Sequence, residues 1–223
     1  MFYTKKALKY QHNIEHENII EDQVVLISAD STGHGVPGAL ISVLGINSIN
    51  KMVNLLNIHD PGKLLDSLDK DINDFLSIDK KDRDVVLDGM DISVLSFNPK
   101  THILKYSIAK YYCYIIRNSE VLDLFDHDYS IGYNIIPLKE KKFFTHSIQL
   151  HQNDRLYLFS DGFSDQFGGA ENKKYKRKNL LNLLLNIHLK PMKEQKLIIK
   201  KEFKDWRGKN DQTDDITVIG LRF

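Results

Sequence analysis

Between Met90 and Ser160 the sequence keeps the two-residue rhythm of extended chain, and helical spacing occurs only outside that stretch, in pairs of segments. Asp91 to Phe97, Ile103 to Ile108, Tyr111 to Arg117 and Val121 to Phe125 are short runs rich in β-branched and aromatic residues. Asn98-Pro99-Lys100-Thr101 and Asn118-Ser119 punctuate them as turns, which predicts an antiparallel meander. Phe143 to Leu150 and Arg155 to Ser160 add two further strands. Upstream, Val24 to Ala29 reads as a buried strand, followed by a helix from Pro37 to about Leu56. A second helix starts at Asp60-Pro61, with Asp60 as its cap. Downstream, Lys173 to Lys190 and Met192 to Phe203 are helical in pattern, and Ile216 to Arg222 closes the chain as a strand. Helices that do not alternate singly with strands argue against a doubly wound parallel sheet. The order predicts an α+β fold of two stacked antiparallel β-sheets flanked by helices, an αββα sandwich.

Composition narrows the partners. The 223 residues suit one domain with a sizeable core. Lysine and arginine total 31 against 30 aspartates and glutamates, so nothing in the overall charge calls for nucleic acid or an anionic membrane. No stretch approaches the ~20 apolar residues of a membrane span, and Met1 to Asn13 lacks the apolar core of a signal peptide. The single cysteine, Cys113, excludes an internal disulfide and a cysteine-rich zinc site; it stands in an apolar run as a buried small residue. A reducing, cytoplasmic setting follows. His12 and His16 have a metal-ligand spacing, but the polar run from His12 to Asp22 reads as a solvated loop. The basic run Lys173 to Lys178 reads as a solvated helix start.

Carboxylates mark the strand ends. Asp30 follows the strand in VVLISADSTGHG, Asp161 follows another in RLYLFSDG, and Asp214-Asp215 precedes the last in DDITVIGLRF. In antiparallel neighbours the end of one strand lies beside the start of the next, so such residues can gather at one sheet edge. Gathered carboxylates repel unless cations neutralise them, and hard divalent ions such as Mg²⁺ or Mn²⁺ take oxygen ligands. Each aspartate alone is also an ordinary turn or cap residue. Gly33-His34-Gly35-Val36-Pro37-Gly38 matches the dinucleotide pattern G-x-G-x-x-G. Asp30 would repel a pyrophosphate there, and no strand ending in an acidic residue follows at the distance the ribose contact requires. The dinucleotide reading is therefore disfavoured.

ADSTGHGVPGAL, DGMDISVL, SDGFSDQFGG and QTDDITVIGLRF, in this order, resemble the bacterial serine/threonine phosphatases of the sporulation-stage-II-E type, within the metal-dependent protein phosphatase 2C-like superfamily. The resemblance spans nearly the whole chain as a single phosphatase domain, 1–223. It implies a centre of two Mn²⁺ or Mg²⁺ ions and hydrolysis of phosphoserine or phosphothreonine by attack of a metal-bound water. Asp30 matches the carboxylate shared by both ions, and Ser31 the position whose carbonyl oxygen binds one of them. Asp161 and Asp214 match further ligands, and Asp215 follows in the pair. Asp30, Asp161 and Asp214 are thus the catalytic expectation. The helix from Pro37 resembles the element that switches the metal site in the family. The implied partner is a phosphorylated protein such as an anti-sigma-factor antagonist in partner-switching signalling, and a homodimer is compatible with the family.

Two features depart from the pattern. Family members begin with a strand reading Gly-Asp-Phe-Tyr, whereas Phe2-Tyr3 here follows Met1 directly. The additional aspartate is therefore absent, as in a fragment of a longer protein or a domain of weakened activity. That departure motivates the alternative of a non-catalytic signalling module that binds a regulatory partner. Ala109-Lys110 stands where a small residue is usual. Of the residues beside the motifs, His34 is read as orienting the turn or as touching a metal-bound water or the substrate phosphate, Asp88 and Asp91 as turn and strand-end residues or as outer or weak positions of the metal site, and Asp165 as a turn or supporting residue.

Overall fold

The computed structural model describes residues 2–14, 17–32, 35–56, 58–77, 89–132 and 141–223. In chain order the elements are β1 (Phe2–Ile14), β2 (Glu17–Ser31), α1 (Gly35–Asn50), a π-helical turn (Lys51–Leu55), α2 (Pro61–Ser77), β3 (Met90–Asn98), β4 (Ile103–Ala109), β5 (Tyr112–Arg117) and β6 (Glu120–Asp123). They continue with β7 (His146–Gln149), β8 (Arg155–Phe159), α3 (Gly162–Asp165), β9 (Phe167–Gly168), β10 (Lys173–Lys174), α4 (Arg177–Ile187), α5 (Met192–Arg207) and β11 (Val218–Arg222). The result is an α+β fold with two main antiparallel sheets and helices. The chain divides into two compact units: Met1–Lys110 with Asp126–Leu150, and Tyr111–Phe125 with His151–Phe223.

The first unit is built on a sheet of order β1-β2-β3-β4-β7. Side chains alternate across it. Val25, Ile27 and Ala29 of β2, with Ile92 and Val94 of β3, are buried in a core shared with Ile41 and Ile49 of α1 and Leu64, Leu68 and Ile72 of α2. Leu26, Ser28 and Asp30 alternate onto the opposite face. The expected cap of α2 is present: Asp60 Oδ1 accepts from the Lys63 N–H at 3.1 Å, and the Asp60 carbonyl accepts from the Leu64 N–H at 2.9 Å. Helix α1 is apolar all round rather than on one face. Ile41 and Ile49 are buried, while Leu40 and Val43 are 54% and 56% exposed. Asp69 and Lys141 form a buried ion pair at 3.3 Å, and Asp69 also accepts from the Gly132 N–H.

Residues 12–14 and 17–22 of the polar run read above as a loop are extended instead. β1 and β2 pair as a long antiparallel hairpin whose register runs from Phe2 opposite Ser28 to Ile14 opposite Glu17. Backbone pairing across a hairpin does not need an apolar face, so alternation was a poor guide there. His16 lies outside the described residues.

The second unit is built on a sheet of order β11-β8-β5-β6. Tyr114, Tyr157 and Phe159 are buried against Leu180 and Leu184 of α4 and Phe163 of α3. The rings of Tyr114 and Phe159 stack at 5.4 Å. Arg117 grips the buried Asp154 through Nε and Nη2, at 3.0 and 2.6 Å, tying β5 to the turn before β8. Cys113 is buried on β5, as read above. The basic run is divided: Lys173–Lys174 form β10, and α4 begins only at Arg177, because Lys176 has φ 73° and cannot continue a helix backwards.

Candidate metal centre

In the first unit, strand register does the positioning. β2 and β3 pair antiparallel with Asp30 directly opposite Asp91 and Ser31 opposite Met90. Directly opposed residues project to the same face with Cα atoms about 4.5–5.5 Å apart. The ADST and DGMD motifs are therefore one structural feature, two carboxylates side by side at a strand end. A clasp holds this end shut. The Thr32 N–H and hydroxyl donate to the Gly89 carbonyl at 2.8 and 3.0 Å, and the Gly89 N–H donates back to the Thr32 hydroxyl. Ser42 of α1 donates to the Ser31 hydroxyl at 3.1 Å, fixing the helix to the strand end.

Two carboxylates this close repel unless positive charge or donors intervene. Asp91 receives both. The Ser130 hydroxyl donates to its Oδ1, and Lys110 Nζ lies 3.8 Å from its Oδ2. Lys110, marked above only as a departure from the family pattern, is thus a cation beside the acidic pair.

In the second unit the close approach is made by backbone. Register pairs Phe159 with Val218, and the Ser160 N–H continues it by donating to the Thr217 carbonyl at 3.1 Å. The Ser160 hydroxyl donates to the Asp215 carbonyl at 3.2 Å and accepts from the Thr217 N–H at 3.1 Å. Next to it, Gly162 has no room for a side chain: a Cβ there would stand 2.2 Å from the Asp215 carbonyl oxygen. The glycine after Asp161 therefore lets the Asp214-Asp215 segment lie against the turn. Asp161 caps α3, its carbonyl accepting from the Asp165 N–H and the Ser164 hydroxyl, both at 2.9 Å. Asp214 Oδ1 accepts from the Asp215 N–H at 2.7 Å, and all three aspartates are exposed.

The structure thus gathers the expected residues into two sets: Asp30, Ser31 and Asp91 in one unit, and Asp161, Asp214 and Asp215 in the other. Asp165 is turned to an ion pair with Lys174 at 2.7 Å. Gly33, His34 and Asp88 lie outside the described residues. Among the described residues no group of three His, Cys, Asp or Glu side chains is arranged to hold a metal ion. As a donor set, the predicted residues fit a hard divalent cation: carboxylate and carbonyl oxygens, with no sulfur. Sequence reading missed Ser160, Ser130 and the Thr32–Gly89 clasp. Their only signal was a hydroxyl residue or glycine beside an acidic motif.

Two antiparallel sheets with helices and acidic strand ends define a phosphatase 2C-like fold, and solved structures share it. The SiaA-PP2C domain of Pseudomonas aeruginosa superposes with TM-score 0.80 at 22% identity, over 100% of this chain and 79% of that one. A Mycobacterium tuberculosis structure of RsbU and RsbW domains gives 0.68 at 14% identity, over 99% of this chain and 54% of that one, so the chain spans about half of it. RsbX in complex with magnesium gives 0.59 at 16% identity, over 99% of this chain and 98% of that one. No curated protein matches the chain. The model of the Stage II sporulation protein E family matches residues 20–223, and the chain belongs to that family.

Proposed function

We propose that this chain is a metal-dependent protein serine/threonine phosphatase. The observation that carries the reading is Asp30 held directly opposite Asp91 at a clasped strand end, in a chain whose family match covers both that end and the Asp214-Asp215 segment. Asp30, the Ser31 carbonyl, Asp161, Asp214 and Asp215 are the residues that would hold two Mn²⁺ or Mg²⁺ ions. When bound, such ions supply Lewis acidity that activates water and withdraws charge from phosphate oxygens. The related RsbX structure contains magnesium, which supports a hard cation.

The chain's own groups then have separate tasks. The Thr32–Gly89 clasp and the Ser42–Ser31 hydrogen bond hold the Asp30 carboxylate and the Ser31 backbone in place. Ser160 and Gly162 fix the Asp214-Asp215 backbone beside Asp161. Lys110 and Ser130 hold the Asp91 side chain in place, and Lys110 offsets part of the negative charge at that strand end. The substrate class is a phosphorylated protein, with an anti-sigma-factor antagonist of a partner-switching pathway as the best candidate. Likeness to a structure that joins RsbU and RsbW domains supports that setting. The exposed apolar stripe Leu40–Val43–Ile46 on α1, next to the clasp, suits contact with a regulatory element or a second copy. No helix among the described residues is long and apolar enough to cross a membrane, and a cytoplasmic setting suits such a pathway.

The test is release of inorganic phosphate from a phosphoserine peptide, with Mn²⁺ and in EDTA. Turnover is expected only with metal, and its loss by at least ~10²-fold is expected in Asp30→Ala. Full turnover in EDTA would refute the proposal. Partner binding with no turnover in millimolar Mn²⁺ would select a non-catalytic signalling module instead.

A further inference from the structure

Helix α5 and strand β11 leave an open groove of about 670 Å³ on the second unit. Its floor is apolar: Ile199 and Phe203 of α5, Tyr157 of β8, Val218 at the start of β11 and Ile216 just before it all line it. The helices cover this face of the sheet incompletely. Tyr157 is buried, whereas Val218, Ile216, Ile199 and Phe203 are only half-buried. The groove has a direction. Met192, at the start of α5, lies nearest Gly220, and Phe203, near its end, packs edge-on against Phe163 at 5.1 Å. Helix and strand therefore run alongside each other in opposite senses.

Two further observations say what fits. The first is charge. Lys193, Lys196 and Lys200 line the groove at the helical spacing that puts them on one face of α5. None of the three has an ion-pair partner among the described residues. Neighbouring Lys190 and Lys201 are paired, to Glu194 and Asp205. The second is backbone. Among the described residues β11 is an edge strand whose only sheet neighbour is β8. Hydrogen bonds through Thr217 and Phe223 point those residues towards β8, so by alternation Val218, Gly220 and Arg222 turn their N–H and C=O groups outwards. An open edge beside an apolar groove is a template for strand addition.

We propose that this edge and groove bind an extended peptide segment of a partner protein, one whose groove-facing residues, at every second position, include both apolar and acidic side chains. The segment pairs with the outward backbone groups of Val218, Gly220 and Arg222. Its apolar side chains enter the groove, and its carboxylates meet Lys193, Lys196 and Lys200. The site does not depend on catalysis or on metal.

The test uses the full chain and a defined probe, the capped octapeptide Thr-Val-Thr-Glu-Thr-Val-Thr-Glu, which sets valine and glutamate on one strand face, with lysine in place of each glutamate as the control. Binding is read by amide chemical shifts and hydrogen exchange. Expected are shifts confined to β11 and α5, slowed exchange at Val218 and Gly220, and no response to the basic peptide. The triple change Lys193→Glu, Lys196→Glu and Lys200→Glu alters only exposed side chains and should weaken acidic-peptide binding by roughly tenfold or more. Gly220→Pro, which removes one outward N–H on an edge strand, should abolish the exchange protection while the lysine-only variant retains its melting temperature. No perturbation by the acidic peptide at millimolar concentration overturns the proposal. So does equal binding of both peptides, binding indifferent to the triple change, or concentration-dependent self-association through β11 in sedimentation.

Discussion

Gly162→Ala is the smallest change that disturbs the acidic turn of the second unit. The added Cβ would stand 2.2 Å from the Asp215 carbonyl oxygen and 3.3 Å from Ile216 Cγ1, where ordinary contact begins at 3.4 Å. Relief requires the Asp215 backbone to retreat by 3.4 − 2.2 = 1.2 Å, since the obstructing atom is backbone and has no rotamer to change. Overpacking of this kind costs about 1–3 kcal/mol. In a chain of this size that lowers the melting temperature by roughly 2–4 °C per kcal/mol. The effect on turnover is larger, because a misplacement of about 1 Å in a catalytic constellation costs on the order of 10²-fold. Ser160→Ala approaches the same backbone from the other side. It removes the hydroxyl bonded to Asp215 and Thr217 without adding bulk, at a cost of about 1–2 kcal/mol. Thermal unfolding by circular dichroism and Mn²⁺-dependent hydrolysis of p-nitrophenyl phosphate read both quantities. If Gly162→Ala melts within about one degree of the parent and turns over at the parent rate, the reasoning fails. A lowered melting point with an unchanged rate would keep the packing and remove Asp214-Asp215 from the chemistry.

Further outcomes follow from buried charge and burial. Lys141→Met leaves Asp69 buried without its cation, and chemical denaturation should show a loss of about 3–5 kcal/mol; a loss under 1 kcal/mol would contradict the buried pair. Burial pushes the Asp154 carboxyl up, but hydrogen bonds from Arg117 and the His151 N–H outweigh it and hold the group below its ordinary value. The stability it contributes is present at neutral pH and is lost as pH falls below about 4, through the depressed native value. Melting temperatures from pH 6 to 3 should therefore fall more steeply for the parent than for Asp154→Asn. Burial also raises the Cys113 thiol far above its ordinary range, so Ellman's reagent should label it only after unfolding.

The sequence showed the fold clearly where a strand is buried on both faces, as in Val25–Ala29 and Leu156–Phe159, because a short run rich in apolar residues marks such a strand. It failed at residues 12–14 and 17–22, where pairing is made by backbone between polar strands and leaves no apolar pattern. The start of α4 was misjudged for a similar reason: the positive φ at Lys176 is a backbone event that lysine does not advertise. Asp30, Asp161 and Asp214 were legible as acidic residues flanking strands, and the structure places them at the end of β2, just after β8 and shortly before β11. The facing of Asp30 by Asp91 was not, since it depends on the register between β2 and β3 across the two intervening helices. The reason for Gly162 was equally hidden. A turn glycine and a glycine that makes room for a distant carbonyl look the same in one dimension.

The central claim is that Asp30, Asp161 and Asp214 hold divalent metal for phosphoester hydrolysis. It is tested most directly by calorimetric titration of the metal-stripped chain with Mn²⁺, parent against Asp30→Ala, Asp161→Ala and Asp214→Ala, with phosphate release from a phosphoserine peptide followed at each metal concentration. The account predicts saturable Mn²⁺ binding by the parent, weakened in every variant, and phosphate release that tracks occupancy. Mn²⁺ binding that is identical in all four proteins, or phosphate release independent of metal, would contradict it.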